Sequence, residues 1–180
     1  MMTAAEFIRG GLARLHQNLD GCLADATPEQ LHAVPAGHPR ANTMAFGLWH
    51  YTRTEDNVVQ FVIQERRPTV WMEGGYARRL GLPPVLQGTG MAAADAQALR
   101  IENAPLFRDY MREVWARTED LFDRAGSNPG LLEKMVTVKP LGEMPALSAL
   151  GQVCLAHGMG HLGEIELIRT LVGLKPVAGI

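Results

Sequence analysis

The stretch that most constrains the fold lies near the C-terminal end. There Leu147, Leu150, Cys154, His157, His161, Glu164, Ile168 and Leu171 recur every three or four residues. That spacing lines one face of a helix, and the apolar residues at both ends mark it as a buried face. Pro145 suits the first helical position, and Gly173 followed by Pro176 suits a stop. The expectation is one long core helix carrying two imidazoles, one turn apart, where leucine or isoleucine normally stands. Burying two polar rings costs a few kcal/mol unless something satisfies them. A metal ion would do so, because histidines at i and i+4 aim their nitrogens at one point. The plain alternative is a kinked helix with two ordinary hydrogen-bonded core histidines. Gly158, Gly160 and Gly163 bear on the choice, since each costs roughly 1 kcal/mol relative to alanine inside a helix. A helix carrying them is expected to use the missing side chains, most simply to bring a neighbouring helix close.

A chain of 180 residues is expected to form one domain, spanning 1–180, with a sizeable core. Hydrophobic residues make up 47% and mean hydropathy is −0.03, the balance of a folded, soluble chain. A net charge of −2 offers no basic footprint for nucleic acid. No apolar run approaches the roughly 20 residues of a membrane span, and the N-terminus shows no secretory signal. Cys22 and Cys154 lie on separate predicted helices and make no disulfide framework, so reduced thiols and a cytoplasmic location are expected.

The same helical period recurs along the chain, and nothing reads convincingly as a sheet. A first helix is expected from about Thr3 to Ala26, with Thr3 and Glu6 as a capping box and Ile8, Leu12, Leu15, Leu19 and Leu23 as its stripe. His16 adjoins that stripe as a boundary residue. Thr27-Pro28-Glu29-Gln30 signals a short helix, and residues 36–40 read as loop, with His32 and His38 exposed and without a chemical role. The second long helix is expected from Asn42-Thr43 to about Glu65. Met44, Leu48, Tyr51, Val58 and Val62 form its core stripe, and His50 faces inward beside it.

Residues 66–102 form a long connection, loop-like around Trp71 and Tyr76 and helical from about Ala92 to Ile101. Connections this long inside a domain are usually functional or structural crossovers. Arg78 and Arg79 within it could meet an anionic ligand or simply be solvated. The third long helix runs from Asn103 to about Ala125, its core face supplied by Leu106, Phe107, Tyr110, Met111, Val114, Leu121 and Phe122. Residues 131–144 are ambiguous: Met135–Val138 could be extended, but no partner strand is evident.

Four such helices predict an all-α four-helix bundle with a long, partly helical connection between the second and third. Metal sites in bundles form from inward side chains on facing helices, which here brings His50 to His157 and His161. Three neutral imidazoles leave coordination positions open, as in catalytic sites. A zincin is excluded, because Gly158 stands where its catalytic glutamate would follow the first histidine. Glu164, three residues after His161, could orient a ligand, act as a base, ligate directly, or be a solvated flank residue. Cys154 reads as a small core residue.

Asn42-Thr43-Met44-Ala45-Phe46-Gly47-Leu48-Trp49-His50 and His157-Gly158-Met159-Gly160-His161-Leu162-Gly163-Glu164-Ile165 together resemble the DinB/YfiT-like metalloenzymes. The outline of long helix, short Pro-Glu-Gln helix, His-bearing helix and C-terminal H-x-x-x-H helix covers most of the chain. The resemblance implies a four-helix bundle, often dimeric, holding a divalent metal on three histidines that match His50, His157 and His161; Zn, Ni or Fe is expected, since imidazole ligands suit such ions. Some relatives look like transferases or isomerases that use low-molecular-weight thiols such as bacillithiol or mycothiol. The insert at 66–102 departs from the more compact members. The function expected is therefore a metal-dependent enzyme acting on a small molecule, with a thiol S-transferase ahead of a hydrolase. A non-catalytic metal-binding stress module is the competing class. A homodimer is also expected, from the resemblance and from Val70, Trp71, Met72 and Tyr76, which one bundle need not bury.

Overall fold

Each long helix begins where a small polar side chain can cap it. In the computed structural model, which describes residues 1–179, α1 (Ala4–Ala24) starts at Thr3, whose hydroxyl accepts from the Glu6 amide in a complete capping box. The short α2 (Pro28–Leu31) repeats the device with Thr27 and Gln30. Thr43 caps α3 (Met44–Asp56), which continues without a break into a π-helical turn, Asn57–Ile63. Three short helices follow in the long connection: α4 (Val70–Glu73), α5 (Tyr76–Leu80) and α6 (Ala93–Ala98). Asn103 caps α7 (Ala104–Ser127), and α8 (Gly130–Glu133) leads into a hairpin.

That hairpin settles residues 131–144. Strand β1 (Met135–Val138) pairs antiparallel with β2 (Gly142–Pro145), so the partner of the extended piece is the segment just before the last helix. Pro145 is the residue before that helix, not its first turn. α9 (Ala146–Ala149) runs through a second π-helical stretch, Leu150–Ala156, into α10 (His157–Leu171). Gly173 follows at φ 86°, the left-handed conformation that a helix terminator needs.

Contacts between the long helices run around a ring in the order α1, α10, α3, α7. The interior is the expected one: Leu12, Leu15, Leu19, Leu48, Trp49, Tyr51, Phe107, Tyr110 and Met111 are fully buried. Among the described residues, no helix is long and apolar enough to cross a membrane.

The connection 66–102 is more ordered than its glycines and prolines suggest. Trp71 and Tyr76 are buried and pack on Tyr110 with ring centroids 4.9 and 5.0 Å away. Asp56 anchors its start by accepting from the Val70 and Trp71 amides, each at 2.9 Å, and from the Tyr110 hydroxyl at 3.0 Å. Burial nonetheless lifts the Asp56 carboxyl above its ordinary range against those hydrogen bonds. The apolar surplus expected here to cover a dimer partner is therefore spent inside the chain; only Met72 stays exposed.

His16 also departs from its reading as a boundary residue. It is buried, its Nε2 lies 3.0 Å from Glu55 Oε2, and its ring stacks on Trp115 at 4.8 Å. Glu55 accepts in addition from Tyr51 Oη at 2.7 Å and Thr118 Oγ1 at 2.6 Å. Burial alone would push this carboxyl up, but His16 and the hydroxyl donors hold it below the ordinary value. A polar knot of four side chains thus sits in the middle of the bundle. His32 is structural too, its Nδ1 on the Pro28 carbonyl and its Nε2 accepting from the Ile101 amide at 2.8 Å.

Candidate metal centre

The last helix carries its buried stripe one residue away from the expected one. Beyond the π-helical stretch, Gly158, Leu162, Ile165 and Arg169 face the core together with Ile168, which keeps its expected place, while His157 and His161 lie half-buried at its flank. A π turn takes in one more residue than an α turn, so it rotates everything after it relative to a 3.6-residue count. The rotation removes the two imidazoles from the core and turns them toward α3. Gly158 makes the approach possible, since a Cβ there would lie 2.4 Å from Tyr51 Cε2 and 2.5 Å from Leu15 Cδ2. Gly160 and Gly163 do not serve this contact, for both face open space.

His50 on α3 meets them. Among the described residues, His50, His157 and His161 form the one histidine, cysteine or carboxylate group whose ligand atoms all lie within 4.8 Å of one another. His157 Nε2 and His161 Nε2 are 2.9 Å apart. The rings stand nearly perpendicular to one another, His50 to His161 at 4.8 Å between centroids and His50 to His157 at 5.5 Å.

Each ring has its other nitrogen occupied. His50 Nδ1 donates to the Gln87 carbonyl, His157 Nδ1 to the Val153 carbonyl at 3.2 Å, and His161 Nδ1 to Glu164 Oε2 at 2.9 Å. A neutral imidazole that donates through Nδ1 offers only a lone pair at Nε2. Three lone pairs then converge on one spot, two of them 2.9 Å apart, an arrangement that a shared cation would satisfy. An acceptor behind each ligand is the usual support of a metal-bound histidine. The residues fit a divalent ion.

Burial holds His50 and His157 below the ordinary imidazole value, and the neighbouring His161 pushes in the same direction. Neutral rings are what metal ligation requires. Phe46 stacks on His50 at 5.6 Å and confines the ring.

The Gln87 carbonyl is a partner that the sequence alone did not name. Gly88, at φ 97°, is what lets it approach: a Cβ there would meet His50 Nδ1 at 2.9 Å and Phe46 at 3.1 Å. The glycine-rich run Gln87-Gly88-Thr89-Gly90 was the available signal, pointing to backbone in close approach. The long connection thus contributes to the site through its backbone, not through Trp71, Tyr76, Arg78 or Arg79. Arg79 lies over the Tyr76 ring at 4.8 Å, and Arg78 is exposed.

Cys154 sits one turn before His157 but is fully buried, and burial pushes its thiol well above the ordinary range. It packs; it does not ligate.

A half-open cavity of about 930 Å³ reaches His157 from outside. It runs along the π-helical end of α3, with the hairpin and the Gln87–Thr89 segment opposite. Of the three histidines, His157 borders this space, which is large enough for a small molecule.

Comparison with known proteins agrees with this architecture. The chain is similar in structure to a conserved protein from Enterococcus faecalis, with a TM-score of 0.80 and 18% identity, covering 96% of this chain and 98% of that one. At that identity the likeness speaks for the fold. No curated protein matches the sequence. The family model of the DinB superfamily matches residues 12–165, a span that contains all three histidines, and the chain belongs to that superfamily.

Proposed function

We propose that this protein is a divalent-metal-dependent enzyme whose ion is held by His50, His157 and His161, and that it transfers a small thiol to an electrophile. The observation that carries the reading is the convergence of three Nε2 lone pairs, each fixed from behind by an acceptor at Nδ1. An ion held there would supply Lewis acidity, lowering the pKa of a thiol or water in its open position.

The protein's own groups do the rest. Glu164 holds the His161 ring from the side away from the shared Nε2 contact, so its part is to orient the ligand and fix its tautomer. Phe46 and the Gln87 carbonyl do the same for His50. The cavity beside His157 admits the electrophile, and its opening lets the displaced proton reach solvent. Such a cavity favours an enzyme over a module with a closed structural metal. The ion is expected to be Zn, Ni or Fe, which imidazole ligands suit. The same reading takes the protein as a cytoplasmic homodimer.

The test is conjugation of small electrophiles with a panel of cellular thiols, comparing metal-loaded protein with His50→Ala. Turnover with at least one thiol, lost in the variant, is the expected result. Turnover that survives the loss of His50 would sink the proposal. Ester hydrolysis without any thiol reaction would assign the same site to a hydrolase.

A further inference from the structure

The chemistry of the cavity wall changes in order along one helix. Followed along the chain from the His50-bearing helix, Thr54 and Asn57 come first, then Val58, Phe61 and Val62, and Arg66 just past the helix end. Thr54 and Arg66 are separated by on the order of 15 Å of wall, helix as far as Ile63 and a turn beyond it. The opposite wall repeats the order's outer half, with Val138 and Leu141 beside Lys139 at the hairpin turn. Phe61 and Leu141 keep 44% and 56% of their surface exposed, apolar area at a cavity mouth that an occupant would cover.

The two cations at the outer end are available. Among the described residues, neither Arg66 nor Lys139 enters a salt bridge or a side-chain hydrogen bond. The one acid beside them, Glu65, is matched by Lys134 at 3.6 Å. Glu65 and Arg66 both adopt left-handed backbone, at φ 56° and 64°, which is unfavourable for residues with a Cβ. That turn ends the π-helical segment and leaves Arg66 on the cavity lining.

We propose that the cavity binds an elongated carboxylate: its anionic end on Arg66 and Lys139, its apolar mid-section on Phe61, Val62, Val138 and Leu141, and its reactive end at His157. The assignment of the reactive end rests on the metal-enzyme reading above; the recognition of the carboxylate does not.

Calorimetric titration with straight-chain carboxylates from hexanoate to dodecanoate tests it, with decanol and decylammonium as matched controls and metal content measured on each sample. Affinity should rise with chain length, and decanoate should bind about tenfold tighter than decanol, the order expected of two solvent-accessible charge contacts. The double variant Arg66→Gly/Lys139→Ala should lose that advantage and leave decanol binding unchanged; glycine suits the left-handed position, so the fold is kept. Phe61→Ser should weaken decanoate and decanol alike. The carboxylate preference should persist after chelation. Equal binding of decanoate and decanol, or a preference that survives the double variant, would overturn the proposal. Loaded metal with no carboxylate preference rejects this inference alone, whereas the preference in a chain that takes up no metal rejects the metal reading alone.

Discussion

His157 and His161 face each other through their Nε2 atoms at 2.9 Å, while the Nδ1 of each is committed to an acceptor, the Val153 carbonyl and the Glu164 carboxylate. Neither ring can donate to the other without giving up that acceptor or gaining a charge. Elemental analysis is therefore expected to find about one divalent ion per chain. His161→Ala should abolish it, and His38→Ala should not. Glu164→Gln should retain the site but weaken it about 10- to 100-fold, as loss of an outer partner typically does. Full occupancy in His161→Ala would refute the assignment.

The pH response has a definite sign. Burial holds His50 and His157 below the ordinary imidazole value. As pH falls through about 6.5, the unfolded chain takes up protons at these rings before the folded one does. Stability is therefore fully present above that pH and is lost below it, toward the folded values. A bound ion adds to the same trend, because it requires neutral rings. A chelator should lower Tm near pH 7.5, and the gap between treated and untreated protein should close on acidification. Equal Tm values with and without chelator near pH 7.5 would contradict this.

The bundle and the meeting of His50 with His157 and His161 were legible in the sequence because both rest on helical period, which four stretches carry strongly. What the period could not give was the phase beyond a π turn. Counting 3.6 residues per turn from Leu147 puts His157 and His161 in the core stripe, whereas Gly158, Leu162 and Ile165 occupy it. The hairpin escaped notice because β2 ends in Pro145, which reads as a helix start. The acceptors behind the histidines were divided in the same way. Glu164 is local and was visible at i+3, but the Gln87 carbonyl is backbone from a distant segment, marked only by Gly88. Trp71 and Tyr76 looked available because loop composition says nothing about what folds back over it.

His16 illustrates the cost of a buried polar partner. Its ring meets Glu55, whose carboxylate has no exposed surface. His16→Ala should lower stability by about 3 kcal/mol, since it takes the basic partner from a buried carboxylate and leaves it only the Tyr51 and Thr118 hydroxyls. Metal content should be unchanged, which separates this histidine from the three ligands. Chemical denaturation gives the first quantity and elemental analysis the second.

Gly158 is where the helix that carries His157 and His161 touches Tyr51 and Leu15. A methyl group there would come within 2.4 Å of the Tyr51 ring. Gly158→Ala should destabilise by about 1–3 kcal/mol through overpacking, although alanine is the better helix former. An increase in stability on denaturant titration would show that the helices are not held as closely as described.

The remaining glycines of α10 point the other way, into open space. Met159, Gly163, Leu167 and Leu171 follow one another at i,i+4 spacing and all are exposed, Leu167 by 61% and Leu171 by 45%. Gly163 and the adjacent Gly160 have nothing near a would-be Cβ, so no intramolecular packing accounts for them. An apolar stripe with small residues at its centre lets two helices approach closely. The homodimer we propose would use this face rather than the buried Trp71 and Tyr76. Light scattering at micromolar concentration should give twice the chain mass for wild type. Leu167→Glu should give a monomer with unchanged helix content and metal content. A wild-type monomer would remove the proposal, and a dimer indifferent to Leu167→Glu would move the interface elsewhere.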